Sequence, residues 1–145
     1  MMKTLKLFTL MICSFSLLAS YAFASSLDGS EPLLCSIIDV VECSYDRECI
    51  NGEASSVNLP YFVKVDVADK TIRVPQAEDD SRVTKIQTAT HLDGKLLLQG
   101  AEHGFEGEDD AVGWTMSIDE DDGRMIFSAS REKAGFLIFG ACTQF

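Results

Sequence analysis

An all-β domain is the fold class this sequence predicts, and three observations predict it. Short apolar runs recur along the chain, separated by turn chemistry. One of them, Val112, Trp114, Met116 and Ile118, alternates cleanly with Gly113, Thr115 and Ser117, the period-two pattern of a strand with one buried face. No convincing long helix appears beyond the N-terminal apolar run. The runs number eight, evenly spaced and joined by short turns, which reads as an eight-stranded antiparallel meander. A small up-and-down barrel is preferred over a two-sheet sandwich, because closure leaves no strand edge exposed.

The first element is an address rather than a strand. Residues 1–24 carry Lys3 and Lys6, then an apolar run from Leu7 to Ala19, then small residues at Ala22 and Ala24. This is the layout of a secretory signal peptide cleaved after Ala24. The run is short for a membrane span, which needs roughly 20 apolar residues, and no later segment is long enough. Lipidation at Cys13 is disfavoured by the bulky Ile12 before it. Residues 25–32 are polar and read as a flexible leader, and residues 33–145 as a single β-domain.

The strands follow in order. Leu33–Cys43 places Leu34, Ile37, Ile38 and Val41 at helical spacing, yet its β-branched content favours strand. Val57–Val67 alternates Tyr61, Val63, Val65 and Val67 with Phe62, Lys64 and Asp66. After the Ala68-Asp69-Lys70 turn, Ile72 and Val74 alternate with Thr71 and Arg73, and Pro75 ends that run. Arg82–His91 alternates poorly, which suits a bulge or an edge strand. Asp93-Gly94 is a strong hairpin signal leading into Lys95–Ala101. Val112–Ile118 and Arg124–Ser130 flank the Asp119–Gly123 turn. Phe136–Cys142 is apolar on both faces and reads as a buried central or closing strand.

Signal cleavage removes Cys13 and leaves Cys35, Cys43, Cys49 and Cys142, an even count in an exported chain and hence two disulfides. Of the three pairings we favour Cys43–Cys49, around a polar turn, and Cys35–Cys142, tying the first strand to the last. Zinc and dithiol redox chemistry both want closer cysteine pairs than these spacings provide.

Composition excludes some partners. The chain has 12 Lys and Arg against 23 Asp and Glu, a net charge of −11. Nucleic acid and anionic membrane surfaces both require clustered basic residues. No nucleophile elbow, zinc-protease helix, phosphate loop or dinucleotide fingerprint occurs. The two histidines, His91 and His103, fall beside turns and read as solvated rather than catalytic. Acidic runs at Glu106–Asp110 and Asp119–Asp122 raise a calcium reading, with Asp119, Asp121 and Asp122 as candidate ligands. The second run only partly imitates a calcium loop, and a hairpin bend at Asp122-Gly123 accounts for it. Trp114, the lone tryptophan, is the candidate ligand-binding residue should the domain enclose a cavity with Phe62, Phe127, Phe136 and Phe139; core packing is its commoner use.

The stretch Gly113-Trp114-Thr115-Met116-Ser117-Ile118-Asp119, then Gly123-Arg124, then Phe139-Gly140-Ala141-Cys142-Thr143, resembles short exported bacterial proteins of unassigned function. The resemblance covers the last third of the chain. It implies a bacterial periplasmic setting and brings no active site.

These readings converge on a non-enzymatic periplasmic or secreted binding or interaction module, with an envelope protein or a small apolar molecule as its partner and no cofactor implied. The alternatives are a small hydrolase with an unmarked site and a calcium-responsive envelope protein.

Overall fold

Alternating side chains and tight turns give ten antiparallel strands among the described residues of the computed structural model, which are 26–46, 48–75, 83–103 and 110–145. The predicted signal peptide at 1–24, the loop at 76–82 and most of the first acidic run lie outside the described residues. The strands are β1 (Leu33–Ser44), β2 (Ile50–Gly52), β3 (Phe62–Asp66), β4 (Thr71–Arg73), β5 (Val83–Lys85), β6 (Thr88–Leu92), β7 (Lys95–Glu102), β8 (Val112–Asp119), β9 (Arg124–Ser130) and β10 (Ala134–Gln144). They form one sheet in the order β5-β4-β3-β1-β10-β9-β8-β7-β6, with β2 beside β1, and the sheet curls into a half-barrel.

The expected count of eight strands is corrected to ten, for two local reasons. The poorly alternating run at Arg82–His91 is two strands, β5 and β6, divided at Ile86–Gln87. There the chain crosses between strands: Ile86 donates its N–H to the Lys70 carbonyl beside β4, and Gln87 donates to Gln99 on β7. The other addition is β2, which pairs Ile50–Gly52 with Val40–Glu42. The strand expected from Val57 begins only at Phe62. A 3-10 turn at Ala54–Val57, the left-handed Asn58 (φ 57°) and then Pro60 occupy the intervening chain.

Strand β1 explains the mixed pattern at Leu33–Cys43. A bulge between Ile37 and Asp39 resets its alternation, so Leu33, Cys35 and Val40 are buried while Ile38 is 68% exposed. The chain is a strand throughout, and the apparent helical spacing is that reset. β10 is central, paired with both β1 and β9, and Ile138, Gly140 and Cys142 are buried. Its other face is not: Leu137 and Phe139 are exposed, together with Ile126 of β9 opposite Phe139. The expectation of a strand buried on both sides is corrected accordingly, because one curled sheet has a single inner face.

The core gathers on that inner face. Leu33, Cys35, Val65, Leu96, Leu98, Trp114, Met116, Ile118 and Met125 form one buried cluster. Each large side chain withdrawn there contributes roughly 1.5–3 kcal/mol. Within residues 25–32, expected to be a flexible leader, Leu27 joins this cluster, while Ser30 and Glu31 are exposed. Leu27 is buried, its N–H donates to the Glu120 carbonyl at 3.1 Å, and Gly29 packs against Val67 and Leu96. This wedge covers the end of the half-barrel nearest the β6–β7 and β8–β9 hairpins.

Both favoured disulfides form, Cys35–Cys142 and Cys43–Cys49. The first lies on the inner face, where Cys35 and Cys142 are direct partners in the β1–β10 ladder. The second clamps a loop whose Tyr45 N–H reaches the Lys133 carbonyl in the β9–β10 turn. Stable bonds of this kind place the fold in an oxidising compartment outside the cytoplasm. No helix among the described residues is long and apolar enough to cross a membrane.

Candidate functional site

Beside the core the inner face of the curled sheet borders a half-open cavity of about 790 Å³, to which the core residues Ile72, Trp114, Met116 and Met125 also contribute. Its walls follow from strand alternation. Inward positions on β8 (Trp114, Met116), β9 (Phe127, Ala129) and β10 (Phe136, Ile138) form one side, and Val63 and Ile72 face them from β3 and β4. Leu59 and Pro60, in the connection after the 3-10 turn, also line it. A cavity of this size and apolarity matches the usual dimensions of small-molecule sites.

Trp114 anchors the wall. It is 4% exposed, and its indole stacks on Phe127 with ring centroids 5.6 Å apart. Gly100, its cross-strand partner on β7, leaves the room in which the indole lies, since a Cβ there would overlap the ring and the Lys85 carbonyl. The indole N–H is buried and has no hydrogen-bond partner among the described residues. An unsatisfied buried donor costs about 1–3 kcal/mol. The sequence-derived candidate Trp114 thus lines the cavity with Phe127 and Phe136. Phe62 and Phe139, grouped with them in the sequence, are exposed and face away.

Polar groups also line the cavity. Glu42 on β1 sits opposite Phe136 in the ladder and shares its inward face. Glu102, at the end of β7, accepts a hydrogen bond from the Thr84 hydroxyl at 3.0 Å, which joins β7 to β5. His103 follows it. The Arg131 guanidinium lies over the Phe136 ring, 5.6 Å from its centroid. Arg73 also lines the cavity; its Nη2 donates to the Thr71 hydroxyl at 3.0 Å, and its buried Nε has no partner among the described residues.

The other acidic candidates are engaged in a turn. One Asp119 carboxylate oxygen accepts the N–H groups of Asp121 (3.0 Å) and Asp122 (3.2 Å), and the other pairs with Lys95. The Lys95 hydrogen bond, helped by those two N–H groups, holds the Asp119 carboxyl down at about 2. Asp122 pairs with Arg124 at 2.6 Å, and that hydrogen bond lowers its pKa as well. Gly123 takes the left-handed conformation (φ 73°) that closes the bend, and its carbonyl accepts the Cys142 N–H. No group of three or more His, Cys, Asp or Glu side chains among the described residues is gathered as a metal ion requires. Asp119 and Asp122 therefore serve the hairpin and its ion pairs.

The two histidines are separated. His91 Nδ1 lies 2.7 Å from Glu120 Oε1, exposed at the end of the sheet away from the cavity. His103 is exposed and lines the cavity just after β7. Among the described residues no serine hydroxyl is hydrogen-bonded to either ring.

Sequence reasoning missed Glu42, Glu102 and Arg131. Glu42 could have been found as a carboxylate within an apolar strand, but its inward direction depends on the bulge four residues earlier. Comparison with known proteins adds no relative: no family model matches the chain, and neither a curated protein nor a solved structure is significantly similar to it.

Proposed function

We propose that this protein is a non-enzymatic binding module of the bacterial periplasm or extracellular space. It takes up a small apolar molecule inside its half-barrel, which we read as an up-and-down barrel incompletely closed between β5 and β7. One observation carries this reading: a half-open, largely apolar cavity of about 790 Å³ whose wall holds the lone tryptophan, its N–H without a partner among the described residues. A chain of this size ordinarily fills its interior to gain stability. A half-open, apolar hollow of that volume with a tryptophan in its wall suits a ligand site. The signal-like N-terminus and the two disulfides support the exported setting.

Trp114 is its own reporter. Titration with dodecanol is expected to shift or quench the emission of Trp114 in a saturable way. Ala129→Phe, which fills the cavity beside Phe127 and Phe136, is expected to abolish that response while the urea midpoint holds. An emission spectrum unmoved up to the solubility limit of the alcohol would sink the proposal.

A further inference from the structure

We propose that the Cys43–Cys49 bridge is a redox-labile clasp on the cavity wall. Its reduction by an uncharged dithiol releases residues 50–60 and opens the cavity on that side, while Cys35–Cys142 stays intact. The premise is the cavity itself, whatever occupies it. The two bridges differ first in access. Cys35 is wholly buried and Cys142 is 7% exposed, whereas Cys49 is exposed and Cys43 half-buried. Exchange requires a thiolate to reach a sulfur, so exposed bridges are the labile ones.

What the short bridge fastens is part of the cavity. The chain leaving Cys49 runs through β2 and the 3-10 turn, and its Ser56, Val57, Asn58, Leu59 and Pro60 line the wall. Little else holds it down. β2 meets the sheet through three residue pairs with β1. The bonds from the Ser56 N–H to Glu53 and from the Leu59 N–H to Ala54 lie within the segment. Of residues 50–60, only Ala54 is buried. The far end is tied where the Tyr61 carbonyl accepts the Ile37 N–H at 2.8 Å. A segment with so few buried contacts opens at low cost, and the bridge restrains its near end.

The chemistry is thiol–disulfide exchange. One thiolate of the dithiol attacks the Cys49 sulfur, the S–S bond breaks, and Cys43 leaves as a thiolate that takes up a proton. The second thiol of the reductant then displaces Cys49 in the same way. The reductant ends as a cyclic disulfide, its two protons and two electrons now on the two cysteines. Glu42, Asp46 and Glu48 flank the cysteines in sequence. They repel an anionic thiol such as glutathione and leave a neutral dithiol as the better reductant.

Limiting dithiothreitol, then alkylation and peptide mass spectrometry, should label Cys43 and Cys49 and leave Cys35 and Cys142 unlabelled. Amide exchange of residues 50–60 should then rise, by up to about fortyfold for a loop of this length in the chain-entropy relation, with β8 and β9 unchanged. Acrylamide should quench Trp114 more strongly, because the opened wall admits it. Cys43→Ala with Cys49→Ala should show the same exchange and quenching without reductant, and serves where reduction unfolds the chain. Labelling of all four bridge cysteines together, or of Cys35 and Cys142 first, overturns the selectivity. Exchange and quenching left unchanged in both the reduced protein and the variant overturn the clasp.

Discussion

The bond between Cys35 and Cys142 should dominate the stability of this fold, and the two disulfides together provide an internal control. The perturbation is the paired replacement Cys35→Ala with Cys142→Ala, set against Cys43→Ala with Cys49→Ala. The bridges enclose very different lengths of chain, with sequence separations of 107 and 6. In the chain-entropy relation, loops of those lengths correspond to ~4.8 and ~2.2 kcal/mol at room temperature, so removal of the long bridge should cost about twice as much. Cys35 is also wholly buried on the inner face, whereas the short bridge sits at the rim, so packing loss adds to the first and little to the second. Against a typical total of ~5–15 kcal/mol, the first variant should be marginal and the second clearly folded. Urea unfolding followed by Trp114 emission measures both midpoints and slopes. The slope should rise for the first variant, because an uncrosslinked unfolded chain exposes more surface. Equal losses for the two variants, or a larger loss for Cys43–Cys49, would refute the idea that the β1–β10 closure is the main constraint on the unfolded chain.

Other outcomes follow from the same structure. Gly100→Ala places a Cβ against the Trp114 ring and the Lys85 carbonyl; it should destabilise the domain by about 1–3 kcal/mol in urea unfolding and shift the Trp114 emission, and an unchanged spectrum would mean that the indole does not lie over β7. The Asp119 carboxyl titrates at about 2, below its ordinary 3.8. Its contribution is complete above the ordinary value and disappears as pH falls through the folded one. The melting temperature of the parent should therefore drop between about pH 5 and about pH 2, and that of Asp119→Asn should change less over this range until the two converge. Parallel curves at all pH values would show that the Lys95–Asp119 contact contributes nothing.

Much of this molecule is written into local sequence. Period-two alternation at Val112–Asp119 gave β8 and its buried Trp114, Met116 and Ile118 directly, because adjacent strand side chains must point to opposite faces. Asp93-Gly94 and Asp122-Gly123 marked hairpins, since both need backbone conformations that glycine adopts without strain. The even cysteine count, with one close pair and one distant pair, pointed to the disulfides. What local sequence could not supply was anything that depends on where the sheet curls. The bulge at Ile37–Asp39 reverses the facing of every later residue in β1, and so decides that Glu42 looks into the cavity. The apolar outer face of β10 is spelled like a buried one, and only the single-layer sheet leaves Leu137 and Phe139 exposed. Burial of Leu27 likewise needs an opening at the end of a half-barrel that no leader sequence announces. The cavity belongs to this second class. Strand patterns say which side chains face inward, whereas the volume left between them is fixed by sheet curvature, a property of all the strands at once.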